Sequence, residues 1–66
     1  MDSKVIGERL KSLRGDQSRE VVANAVDISC SALAMYEQGE RIPRDTVKIR
    51  LAKYFKKSVQ SIFFAD

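Results

Sequence analysis

Apolar positions recur along the chain at helical spacing. Ile6, Leu10 and Leu13 fall at i, i+4 and i+7, which places them on one face of a helix. The spacing predicts a first helix over about Ser3 to Arg14, capped by Asp2 or Ser3. Gly15 is expected to end it, because glycine enters the left-handed conformation of a helix terminus without steric cost. Ser18 is placed to cap a second helix from Arg19 to about Val26, with Glu20 near its positive end. Asp27 and Ile28 then form a turn, Ser29 caps a third helix from Cys30 to about Gln38, and Gly39 stops it. The stretch GERIPRD reads as a loop, since Pro43 disfavours helix through the residues around it. Asp45 is expected to cap a fourth helix from Thr46 to about Phe55, with Val47, Leu51 and Phe55 at four-residue steps. Ser58 caps a short last helix that returns Val59, Ile62 and Phe63 to the core. No segment alternates apolar and polar residues between turn dipeptides, so strands are not expected. The predicted fold class is all-α: five short helices in one domain over residues 1–66.

Within this pattern the run from Arg19 to Tyr36, REVVANAVDISCSALAMY, carries the most information. Val22, Val26, Ile28, Leu33 and Tyr36 supply its apolar face, and Ala23 provides a small side chain where two short helices must touch. That is the spacing of a helix-turn-helix, whose second helix lies in the major groove of DNA.

Size and charge narrow the picture. The 66 residues are near the lower limit for folding around a single core, with no room for a separate ligand or catalytic domain. There is no run of about 18 apolar residues and no apolar leader block, so neither a membrane span nor a secretion signal is expected. A lone cysteine, Cys30, excludes an internal disulfide and fits a reducing cytoplasm. The net charge of +3 is unevenly spread. From Glu40 to Lys57, Arg41, Arg44, Lys48, Arg50, Lys53, Lys56 and Lys57 face only Glu40 and Asp45. From Asp16 to Gly39, Arg19 stands alone against Asp16, Glu20, Asp27 and Glu37. A polyanion is therefore expected to be held by the margins of the motif more than by its centre. For Lys53 and Lys57 the alternative is plain solvation of a helix face. With no histidine, no cysteine cluster and no glycine-rich phosphate loop, neither an enzyme nor a metal or cofactor site is expected, and no small-molecule ligand.

From Ile6 to Phe63 the chain resembles the Cro/CI-type (XRE) helix-turn-helix family of phage repressors and bacterial regulators. The resemblance rests on Ser18-x-x-x-Val22-Ala23, Ile28-Ser29, Tyr36-Glu37-x-Gly39 with Arg41 and Pro43, Leu51-Ala52, and the Ser58-Val59-x-x-Ile62-Phe63 close. It implies a lambda-repressor-like domain that binds double-stranded DNA. It also implies base reading from the start and outward side of the third helix, by Ser29, Cys30, Ser31, Ala32 and Met35, with Ala34 at the edge. Phosphate contacts are implied for Ser18, for Arg19 where the family usually has glutamine, and for Gln38, Arg41 and Arg44 after the third helix. Arg41 and Arg44 have a solvated loop as their alternative. A structural ion pair is implied between Glu37 and an arginine late in the first helix, Arg14 or else Arg9. Asp27 and Lys56 stand where the family usually places a helix-ending glycine.

The base-reading set is unusual, because it lacks the Arg, Gln and Asn that bond guanine or adenine in pairs. Modest selectivity leaning on thymine methyls and DNA shape is expected. Phe64 and Ile49 lie off the core stripes and suggest a symmetric homodimer through the fourth and fifth helices. The leading expectation is a sequence-specific transcription regulator, most plausibly a repressor. The alternatives are an antitoxin-like DNA-binding protein and a helical interaction module without DNA binding. A redox role for Cys30 has no second thiol to resolve an oxidised product.

Overall fold

A computed structural model describes residues 1–65. Among them are four α-helices, α1 Ser3–Arg14, α2 Arg19–Ala25, α3 Cys30–Glu37 and α4 Asp45–Phe55, and a closing π-helical turn, Gln60–Phe64. No strand occurs in this stretch. The arrangement is the all-helical, lambda-repressor-like one.

The helix starts follow local chemistry. Asp2 caps α1, its carboxylate accepting from the backbone N–H of Lys4 at 3.0 Å and Val5 at 3.3 Å. Ser18 Oγ accepts from Val21 N–H at 3.2 Å, and Ser29 Oγ from Ala32 N–H at 3.0 Å. Ser58 Oγ accepts from Ser61 N–H at 3.0 Å before the closing turn. The start of α4 differs from the expectation. Its cap residue is Arg44, without a side-chain bond, and Asp45 is already helical. There Asp45 favours the positive helix end by charge alone, and its carboxylate lies 3.5 Å from Lys48 Nζ.

Three helix ends share one hydrogen-bond pattern, with a positive-φ residue just past the cap of α2 and α3 and at the cap of α4. After α2, Ile28 N–H donates to Ala23 O at 3.0 Å and Asp27 N–H to Asn24 O at 3.3 Å. After α3, Glu40 N–H donates to Met35 O at 2.9 Å and Gly39 N–H to Tyr36 O at 3.2 Å. After α4, Lys57 N–H donates to Ala52 O at 2.9 Å and Lys56 N–H to Lys53 O at 3.2 Å. Asp27 and Lys56 both hold φ 59°, a conformation that strains a residue with a Cβ. Gly15 is different again: its φ of 58° comes with ψ −126°, outside the left-handed helical basin expected for it.

The core is built from Ile6 and Leu10 of α1, Val22, Ala23 and Val26 around α2, and Leu33 and Tyr36 of α3. Val47, Leu51 and Ala52 of α4 join Ile62 and Phe63 to close it. Leu13, Phe55 and Val59, expected as full core members, are only partly buried and pack on its margin. Two tertiary contacts fix how α3 sits. At Gly7, α1 meets the end of α3 so closely that an added Cβ would lie 2.4 Å from the Glu37 carbonyl oxygen. At the other end of the motif, Arg50 of α4 donates to the carbonyls of Val26 and Asp27 at 3.0 and 3.2 Å, satisfying acceptors that the end of α2 leaves free.

Candidate nucleic-acid interface

α3 turns Leu33, Tyr36 and Glu37 inward. The residues opposite them, Ser31, Met35 and Gln38 at i, i+4 and i+7, form its outward stripe; Ser31 and Gln38 are exposed and Met35 half-buried. Ser29 and Cys30 are exposed at its start. Ala32 departs from the expected reading face: it sits on the side of Tyr36 and packs partly against the core. Neither the first nor the last turn of α3 carries a charge that faces outward, so among the side chains of its outward stripe within the helix only Ser31 is polar.

Beneath this stripe lies the strongest electrostatic feature of the molecule. The Glu37 side chain is 0% exposed, that of Arg14 17% and that of Arg19 36%. Arg14 forms a fork on it, Nε donating to Oε2 at 2.7 Å and Nη2 to Oε1 at 3.1 Å, while Nη1 donates to Gln17 O at 2.7 Å. Arg19 Nε donates to Glu37 Oε1 at 2.9 Å. Burial pushes the Glu37 carboxyl up, but the bonds and charges of the two arginines outweigh it and hold it below its ordinary value. The bond from Glu37 in turn raises Arg14. Of the two first-helix candidates, Arg14 is thus the one that the structure pairs with Glu37, beside Arg19 of α2. Arg9, the other candidate, lies elsewhere, donating to the carbonyls of Ile62 and Ala65 at 2.9 and 2.7 Å and tying α1 to the closing turn.

Arg14, Arg19 and Glu20 line an open cleft together with Cys30. The end of α1 and the starts of α2 and α3 therefore converge beside the first residues of the outward helix, where the two arginines are balanced by Glu37 beneath them and Glu20 at the cleft. Arg19, expected to contact a phosphate, is anchored through Nε to Glu37. Ser18, exposed, accepts the cap bond from Val21 N–H through its oxygen, which leaves its hydroxyl hydrogen to donate. Gln38, Arg41 and Arg44 remain exposed, in the connection from α3 to α4.

One family model matches residues 5–58, and its description is a helix-turn-helix domain. The chain belongs to the helix-turn-helix domain family. The match begins two residues into α1 and reaches Ser58, so it covers α2, the Asp27–Ile28 turn, α3 and α4. No curated protein matches the chain. A helix-turn-helix domain of this type suits a DNA-binding regulator. Among the described residues no helix is long and apolar enough to cross a membrane, and no group of three metal-ligating side chains comes together.

Sequence reasoning missed three groups. Gly7 gives no local signal, because its role depends on α3 passing over it. Arg50 and Lys48 were counted only as bases. Yet Arg50 holds the turn of the motif, and Lys48 is buried with Nζ 5.9 Å from the Phe63 ring centroid and 5.1 Å from that of Phe64.

Proposed function

We propose that the chain is a transcription regulator, most plausibly a repressor, that occupies a two-fold DNA operator as a homodimer with α3 in the major groove. The observation that carries this reading is the outward Ser31–Met35–Gln38 stripe of a helix-turn-helix, with exposed polar ends and a half-buried Met35, flanked at its start by the Arg14–Arg19 cleft. Arg19, Gln38, Arg41 and Arg44 would contact the sugar-phosphate backbone and fix register. Ser29, Cys30, Ser31 and Met35 would face base edges, with small and soft groups suited to thymine methyls. The homodimer reading draws support from Ile49 at 58% and Phe64 at 48% exposure, large apolar side chains close to the buried Lys48. Phe64→Ser is expected to lower the sedimentation-derived dimer fraction and DNA affinity together.

The absence of outward charge on α3 also favours a second reading, a helical protein-interaction module. Fluorescence anisotropy with labelled 30-base-pair duplexes over a salt series separates the two. Release of counterions predicts log K falling linearly with log salt concentration, at roughly 0.9 per phosphate contacted. No binding to any duplex at low salt would leave the interaction module standing.

A further inference from the structure

We infer that Glu37 is a positioning residue for DNA: its buried carboxylate fixes Arg19 as a rigid clamp for a single backbone phosphate. The inference rests on the DNA-binding reading above and deepens it. Arg14 spends all three guanidinium nitrogens inside the chain, two on Glu37 and one on Gln17 O. Arg19 spends only Nε, on Glu37 Oε1 at 2.9 Å, and its two terminal nitrogens have no partner among the described residues. Arg19 lines the open cleft together with Arg14, Glu20 and Cys30, next to the first turn of α3. A guanidinium anchored at Nε and free at both ends is the geometry that receives a phosphate with two parallel bonds. The anchor also removes rotamer freedom before DNA arrives, so less is lost on binding. Because Glu37 cannot reach solvent, Arg19 can keep its anchor when a phosphate docks; the carboxylate is a support, not a competitor on the surface.

Charge and positioning predict opposite signs. Replacing Glu37 by Gln removes a negative charge beneath a polyanion site, which on charge alone strengthens binding. Weakening the anchor from a charge-assisted bond to a neutral amide acceptor instead weakens binding, by about two- to tenfold from the freedom regained by one long side chain.

The test is a double-mutant cycle of Arg19→Gln and Glu37→Gln, with Arg19→Lys alongside, read by anisotropy on one duplex over a salt series at a temperature where circular dichroism shows every variant folded. Arg19→Gln is expected to flatten the salt slope by about 0.9, one phosphate contact. Glu37→Gln should weaken binding in the parent and change it little, or strengthen it, once Arg19 is Gln. Arg19→Lys leaves the Arg14–Glu37 pair in place, so it provides a folded control. It should keep the parent slope, since its charge remains, yet lose about two- to tenfold in affinity with the fork. Parent-like affinity in Arg19→Lys, tighter binding in Glu37→Gln, or an unchanged slope in Arg19→Gln would each overturn the clamp while DNA binding itself stands. A parent chain that binds no duplex at all removes the interface reading, and the clamp with it.

Discussion

Removing Glu37 is the perturbation for which the structure sets the clearest magnitude. Glu37→Ala deletes the acceptor of three short charge-assisted bonds, at 2.7, 3.1 and 2.9 Å, and leaves two arginines facing each other across the vacated site. Breaking one side of a buried ion pair costs roughly 3–5 kcal/mol. The lower end applies here, because Arg14 is 17% and Arg19 36% exposed and both can turn toward water. About 3 kcal/mol corresponds to a fall in Tm of roughly 12–24 °C for a chain of this size. It is a large share of the few kcal/mol that such a chain holds in total. Thermal and urea melts by circular dichroism measure it, and the order of loss should be Glu37→Ala, then Arg14→Ala, then Arg19→Ala. The last should cost about 1 kcal/mol or less, as a part-exposed, solvent-screened partner. The pH dependence follows from the lowered Glu37 carboxyl. A depressed carboxylate stabilises the fold above its unfolded value of about 4.3, and that contribution is lost as pH falls through the lower folded value. The parent should therefore lose stability below about pH 5, and Glu37→Gln should lose less over the same range. A Glu37→Ala melt that superimposes on the parent, or equal losses for Arg14→Ala and Arg19→Ala, would refute the reasoning.

Three further outcomes are expected. Gly7→Ala should destabilise by roughly 1–3 kcal/mol in a urea melt, although alanine is the better helix former by about 1 kcal/mol, because the new Cβ meets backbone at 2.4 Å; a gain in stability would show that α1 and α3 do not approach so closely. Asp27→Gly and Lys56→Gly should be neutral or stabilising by up to about 1 kcal/mol, since both residues hold φ 59°; clear losses at both would contradict the helix-end geometry. Binding to poly(dA-dT) should exceed binding to poly(dA-dU) by about fourfold for each methyl contacted by the α3 face, and equal affinity would remove methyl contacts from the account.

The local grammar of this fold was legible in the sequence. Ser18 and Ser29 mark helix starts by a hydroxyl that accepts from a free N–H, and the i, i+4 spacing of Ile6 and Leu10 survives as core packing. Asp27 and Gly39 end helices where their residue types suggested. What escaped depends on partners distant along the chain. Gly7 matters because the backbone of Tyr36 and Glu37 crosses it, and Lys48 lies with its Nζ over the rings of Phe63 and Phe64, which the closing turn brings back to α4. The resemblance puts Ala32 on the reading face by position, but a 100° step per residue carries it round to the side of Tyr36. Asp45 carried the usual cap chemistry, yet the buried Pro43 and the extended Arg44 begin α4 one residue earlier. For the candidate site, the Arg14–Glu37 pair followed from resemblance, whereas the anchoring of Arg19 to the same carboxylate required the path of three helices to be known.

The central claim is that α3 is the surface that meets a duplex. Titrating isotope-labelled protein with a 30-base-pair duplex, followed by amide resonances, tests it directly. The account predicts that Ser29, Cys30, Ser31 and Met35 shift together with the Arg19 side-chain signal, and that the shifts shrink as salt rises. Shifts confined to the Ile49 and Phe64 region, with the start of α3 unmoved, would contradict it.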